Sequence, residues 1–185
     1  MLITECFPQF FTATMLEWNH LLREDKYKEI IINSMAFLVR EKRVSIYGFV
    51  IMPNHMHLIW QIMGGHSLDE VQRDFLKFTA QQIKFDLEKS NANLLSQFKV
   101  NSKDREYQFW ERRPLSIDLY SEKVLLQKLH YIHNNPVQEK WQLCKYPEEY
   151  WYSSARFYFR GKDDWGFLTH YLGWKYFITK FGGWW

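Results

Sequence analysis

Two apolar, strand-like runs, 44–52 and 55–63, follow one another with only Pro53-Asn54 between them, and Gly64-Gly65 closes the second. Successive strands with no intervening helix pair antiparallel, because a parallel return needs a crossover of a dozen or more residues. This excludes a doubly wound sheet as the simplest plan. Around the pair, residues 9–15 are rich in aromatic and β-branched side chains and read as a first strand. Apolar positions recur at helical spacing over 26–41 and 68–89, where Ser67 and Glu70 form a capping box. Residues 90–106 are polar and read as a long loop, and 107–113 as a short strand. A further helix spans 121–135, capped by Ser121 and stopped by Pro136. Beyond 137 the chain is aromatic-rich without a clear period. The order strand, helix, strand, strand, helix, strand, helix predicts an α+β fold, a ferredoxin-like sandwich with helices packed on an antiparallel central sheet.

The 185 residues suit one domain and are ample for a core. With 46% hydrophobic, 24% charged and 19% aromatic residues, the chain is not disordered in composition. Two cysteines, Cys6 and Cys144, exclude a disulfide scaffold and an all-cysteine zinc site. No apolar run approaches the ~18 residues of a membrane span. The N-terminus carries no secretory pattern, so a reduced, cytoplasmic protein is expected. The net charge of +3 is modest, and the sharper anomaly is nine Trp, eleven Tyr and fifteen Phe. Some of these adjoin cations, as in Phe109-Trp110-Glu111-Arg112-Arg113, a pattern that can stack on bases while pairing with phosphates. Core filling accounts for most of them.

Two constellations carry chemistry. In the second strand of the pair, His55 and His57 share one face while Met56, Leu58 and Trp60 take the other. Such a pair either ligates one metal ion or sits as two partly exposed imidazoles at a strand rim. On the last helix, Tyr131 and Asn135 stand one turn apart on the polar side, with Gln127 and Lys128 nearby, while Leu125, Leu129 and Ile132 turn inward. By itself Tyr131 also fits a solvated surface tyrosine. His130 and His133 read as bystanders, and His20, His66 and His170 have no identifiable partner.

Together these segments resemble a known family. Gly48-Phe49-Val50-Ile51-Met52-Pro53-Asn54-His55-Met56-His57-Leu58-Ile59 resembles the histidine–hydrophobe–histidine signature of the HUH single-tyrosine transposases, most similarly the REP-associated ones. Leu129-His130-Tyr131-Ile132-His133-Asn134-Asn135-Pro136-Val137 resembles their tyrosine helix. Phe109 to Arg113, Tyr146-Pro147 and Trp151-Tyr152-Ser153-Ser154 resemble further segments. The resemblance covers roughly 9–157, leaving Pro114 to Asp118 and a C-terminal tail as departures. It divides the chain into a nuclease domain, 1–160, and a tail, 161–185.

The resemblance implies an HUH-type endonuclease fold and a transposase. Tyr131 would be the nucleophile, and His55, His57 and Asn135 the ligands of Mg²⁺ or Mn²⁺, a mixed imidazole–amide set unlike structural zinc. The substrate would be single-stranded DNA with hairpins, cleaved through a 5′-phosphotyrosine. Arg112, Arg113, Lys128, Arg43 and Trp110 are the candidate DNA contacts, with Arg40, Lys42, Lys77 and Lys84 as further cations. A nucleoid-associated monomer or homodimer would result. The alternatives are a domesticated DNA-binding regulator with little turnover, and a metal-dependent RNA-processing enzyme.

Overall fold

A computed structural model describes residues 7–173. Its strands are β1 (Gln9–Thr14), β2 (Val44–Ile51), β3 (His55–Ile62) and β4 (Leu115–Asp118), and the sheet order is β2-β3-β1-β4. Every neighbouring pair is antiparallel. Helices α1 (Asp25–Arg40) and α2 (Leu68–Ser90) connect β1 to β2 and follow β3, which completes the expected ferredoxin-like sandwich.

Alternation along the strands sorts the core into two layers. Phe11, Ala13, Met56, Leu58 and Trp60 face α1 and α2, meeting Tyr27, Ile31, Met35, Phe75 and Ile83. Phe10, Val50 and Ile59 face the opposite way, toward α4 (Glu122–Asn134). Tyr47 faces the second layer by alternation, and a register shift between Ile46 and Gly48 brings Gly48 to the same face. Ser121 caps α4 by accepting the Val124 amide, as its sequence predicts. Thirteen residues are marginal as an isolated helix, so packing must hold α4 in place. Burial of Leu125, Leu129 and Ile132 supplies on the order of 6 kcal/mol for that.

Gly48 sets how closely α4 sits on β2. A Cβ there would lie 2.5 Å from Leu129 Cδ1 and 3.2 Å from Ile132 Cδ1. The segment 151–154 then lines the outer side of β2. Ser154 Oγ accepts the Phe49 amide at 2.9 Å and lies 2.8 Å from His133 Nε2, so one hydroxyl joins strand, segment and helix.

The fold corrects three expectations. Residues 107–113 form only isolated bridges, Lys99 to Tyr107 and Met15 to Trp110, and the fourth strand is Leu115–Asp118. The aromatic run mimics a strand because Phe109 and Trp110 are drawn into the core. The expected loop at 90–106 contains α3 (Ala92–Ser96), capped by Asn91, whose carboxamide oxygen accepts the Leu94 amide. The aperiodic region after 137 contains α5 (Ala155–Arg160). Within the expected tail, Asp163 accepts the amides of Trp165, Gly166 and Leu168, and Leu168 bridges to Ile46. The closing Phe181-Gly182-Gly183-Trp184-Trp185 lies outside the described residues, as does Cys6.

Candidate active site

The sheet brings His55 and His57 to the face that α4 covers. Their rings are 4.8 Å apart between centroids, and both side chains are buried. Tyr131 reaches them from the helix, with its ring 5.4 Å from that of His57 and 40% of its surface exposed. Two motifs 74 residues apart thus meet across one inter-layer contact.

Each imidazole is oriented through Nδ1. His55 Nδ1 lies 2.7 Å from Asn54 Oδ1, an acceptor, so Nδ1 carries the proton and Nε2 keeps its lone pair. His57 Nδ1 lies 2.7 Å from Thr12 Oγ1, its cross-strand partner in β1. His57 Nε2 is buried and has no hydrogen-bond partner. A buried ring nitrogen without a partner, on a ring held through its other nitrogen, is the pattern of a metal-ligating histidine. Burial, reinforced by Lys140, lowers the His55 pKa to about 4. Burial, then His55, Lys128 and Lys140, lowers that of His57 to about 3. Both rings are therefore neutral at pH 7, the form that binds metal.

Among the described residues, no cluster of three or more His, Cys, Asp or Glu side chains stands ready for a metal. Any third protein donor to the pair among the described residues is thus of another type, such as a carboxamide. Asn135 continues the right-handed helical backbone at φ −56° and ψ −47°, one turn beyond Tyr131, and is 2% exposed. Two neutral imidazoles are donor types that can ligate a divalent cation.

The expected DNA contacts separate. Lys128 stands beside the pair, its Nζ 4.6 Å from the Phe10 ring centroid and 5.9 Å from that of Tyr131. Arg112 and Arg113 leave the same end of the sheet, since the Glu111 amide bonds Thr14, the partner of His55. Arg113 is exposed, and Arg112 bonds Gln108 and Ser102 at the rim of a cleft of ≈ 620 Å³ against α2. Arg43 lies at the opposite end of the β2–β3 hairpin, away from the histidines. Trp110 corrects its expectation: it is 6% exposed and its Nε1 donates to Thr79 Oγ1, so the core holds its ring.

Other residues of the site escape sequence reasoning. Thr12 meets His57 only through strand register, whereas Asn54 is signalled by its place beside His55. Trp18 and Trp141 each contact the His55 ring, at 6.3 and 5.8 Å, and His20 contacts Trp141 at 5.9 Å. His133 is buried against Ser154 and Tyr158, away from the nucleophile side, as expected. His170, expected to lack a partner, packs on Tyr158 and Tyr171.

No family model matches the chain, and no curated protein matches it. Among solved structures, it is similar to a REP-associated tyrosine transposase bound to a REP hairpin. That likeness has 19% identity, a TM-score of 0.62, and coverage of 91% of this chain and 89% of that one. It is also similar, at 12% identity and a TM-score of 0.43, to a "putative transposase" from Deinococcus radiodurans R1, with 72% and 95% coverage. The first of these likenesses, at 19% identity, establishes the fold alone. Among the described residues no helix is long and apolar enough to cross a membrane.

Proposed function

We propose that this chain is a transposase of the single-tyrosine kind, nicking and rejoining single-stranded DNA that carries hairpins. The observation that carries the reading is a half-exposed tyrosine 5.4 Å, ring to ring, from a buried histidine whose Nε2 has no partner. The likeness of fold to a hairpin-bound transposase supports the choice of substrate.

His55, His57 and Asn135 would hold Mg²⁺ or Mn²⁺, which supplies charge stabilisation at the scissile phosphate. The Asn54 oxygen holds the proton of His55 on Nδ1, and the Thr12 hydroxyl, accepting from His57 Nδ1, would leave that ring's Nε2 lone pair free too. Tyr131 Oη bonds to phosphorus as the bond to the 3′ oxygen breaks. The phenol proton is lost, and the departing oxygen takes one up as a 3′-hydroxyl. One phosphoester replaces another, so the same 3′-hydroxyl can reverse the step without an external energy source. Lys128, close to the Tyr131 ring, attracts the phosphate. Arg112 and Arg113 bind the strand further along.

The test is incubation with labelled hairpin-bearing single-stranded DNA, and its RNA counterpart, in Mn²⁺. A protein–DNA adduct on a denaturing gel is the expected result. Binding without an adduct would mean a DNA-binding regulator, and cleavage of RNA alone an RNA-processing enzyme.

A further inference from the structure

Of four non-glycine residues with left-handed φ among the described residues, Trp18, at 57°, contacts His55; Glu17, at 53°, precedes Trp18; and Gln142, at 46°, follows Trp141, which also contacts His55. Left-handed backbone costs a side-chain-bearing residue roughly 1–2 kcal/mol. Here the surroundings hold it. The Glu17 amide donates to the Glu111 carboxylate at 2.8 Å, and the Asn54 carboxamide reaches the Trp18 carbonyl at 3.4 Å. The same Asn54 orients His55, so one side chain ties the indole's backbone to the imidazole.

The strain displays a large aromatic surface. Trp18 is 62% exposed, an unusual state for a ring that is highly buried on average. It meets His55 edge to face at 68°, so its own ring stays largely open to solvent. Trp141 contacts His55 separately, backed by His20, while its Nε1 is buried and unpartnered. Lys140 adds a positive charge beside it, 5.9 Å from the ring.

We infer that Trp18, which shares the His55 ring with Trp141, is a stacking platform for an unpaired nucleobase adjoining the scissile phosphate. The inference rests on the single-strand nuclease reading and gives that site a base-holding part. Stacking is tolerant of base identity, because every base offers a π face, so this subsite grips the strand without choosing its sequence. Holding the neighbouring base would fix the phosphate relative to Tyr131, which is a positioning role.

The test measures binding in EDTA, by anisotropy of a fluorescein-labelled hairpin-bearing single strand whose Mn²⁺ cleavage position has been mapped. Loss of one stacked base corresponds to about 1–3 kcal/mol, so Trp18→Ala is expected to weaken binding roughly 5- to 150-fold. Trp18→Phe should stay within about 3-fold of wild type. An abasic residue scanned along the strand should reproduce the loss at one position next to the cleavage point. At that position Trp18→Ala should lose nothing more, since the two changes remove the same stack. Equal affinity of Trp18→Ala and wild type, or fully additive losses at every abasic position, overturns the inference while leaving the nuclease reading intact. Failure of the wild-type protein to bind or cleave any single strand overturns both. A shield that merely covers His55 would leave the abasic profile of Trp18→Ala identical to that of wild type.

Discussion

Tyr131 and phenylalanine differ by one oxygen, and that oxygen belongs to a half-exposed side chain. Tyr131→Phe should therefore change stability by less than about 0.5 kcal/mol. Binding of single-stranded DNA should persist, and the covalent adduct should vanish from the gel. Tyr120→Phe and Tyr107→Phe are the controls: Tyr120 bonds Asp118, Tyr107 lies beneath Lys84, and neither touches the histidines. An adduct surviving in Tyr131→Phe would move the nucleophile elsewhere. At His57 the measurable quantity is metal linkage. A ligand present at a hundred times its Kd stabilises the folded state by about 2.7 kcal/mol. Mn²⁺ should raise the Tm of wild type and leave that of His57→Ala unmoved, with Mn²⁺-dependent cleavage abolished. An equal thermal response in both would remove His57 from the ligand set.

At the level of elements, the approach of α4 to β2 fixes the distance between Tyr131 and His57. Gly48→Ala inserts a methyl 2.5 Å from Leu129 Cδ1, and overpacking of this kind costs typically about 1–3 kcal/mol. We expect a urea midpoint lowered accordingly and cleavage reduced more than DNA binding, since the helix must ride outward. Unchanged cleavage would mean that Leu129 turns aside without moving the helix. The elements that place this packing are the most legible ones. Helix α4 announces itself through Ser121, the period of Leu125, Leu129 and Ile132, and the stop at Pro136. The histidine pair follows from strand alternation alone. Strand β4 is hidden because Leu115, Ser116 and Ile117 are all exposed, which erases the two-faced pattern that marks a strand. Trp110 misleads because a basic neighbour says nothing about which way an indole points.

Across the whole molecule, three histidines are buried in the neutral form, and this makes folding sensitive to acid. Burial, then His130, lowers the His133 pKa to about 3 from an ordinary 6.5. The unfolded chain takes up a proton near 6.5, whereas the folded one resists until far lower pH. Stability is thus complete above pH 6.5 and declines as pH falls toward 3, by up to about 1.4 kcal/mol per pH unit for each such histidine. His133→Asn should flatten the dependence of the urea midpoint on pH between about 6 and 4 by one histidine's share. An unaltered slope would mean that His133 charges within the fold. Charge on the outside is read by salt. Replacing Arg112 and Arg113 by alanine should reduce the slope of log affinity against log salt by about 0.7 for each phosphate no longer neutralised. Arg113 should carry more of it, because Arg112 already bonds Gln108 and Ser102. An identical slope would mean that neither arginine meets the strand. The sequence could not reveal the Trp18–His55–Trp141 grouping, since it joins three segments that only the finished fold brings together.

Among the described residues, Tyr131 is the one tyrosine whose ring meets either histidine of the pair. On the proposed chemistry this sets a stoichiometry. A chain can carry a single DNA end at a time, so the first burst of product cannot exceed one adduct per polypeptide. Freeing a segment requires two strand breaks. Each copy must therefore discharge its first end before making the second cut, or two copies must share the task.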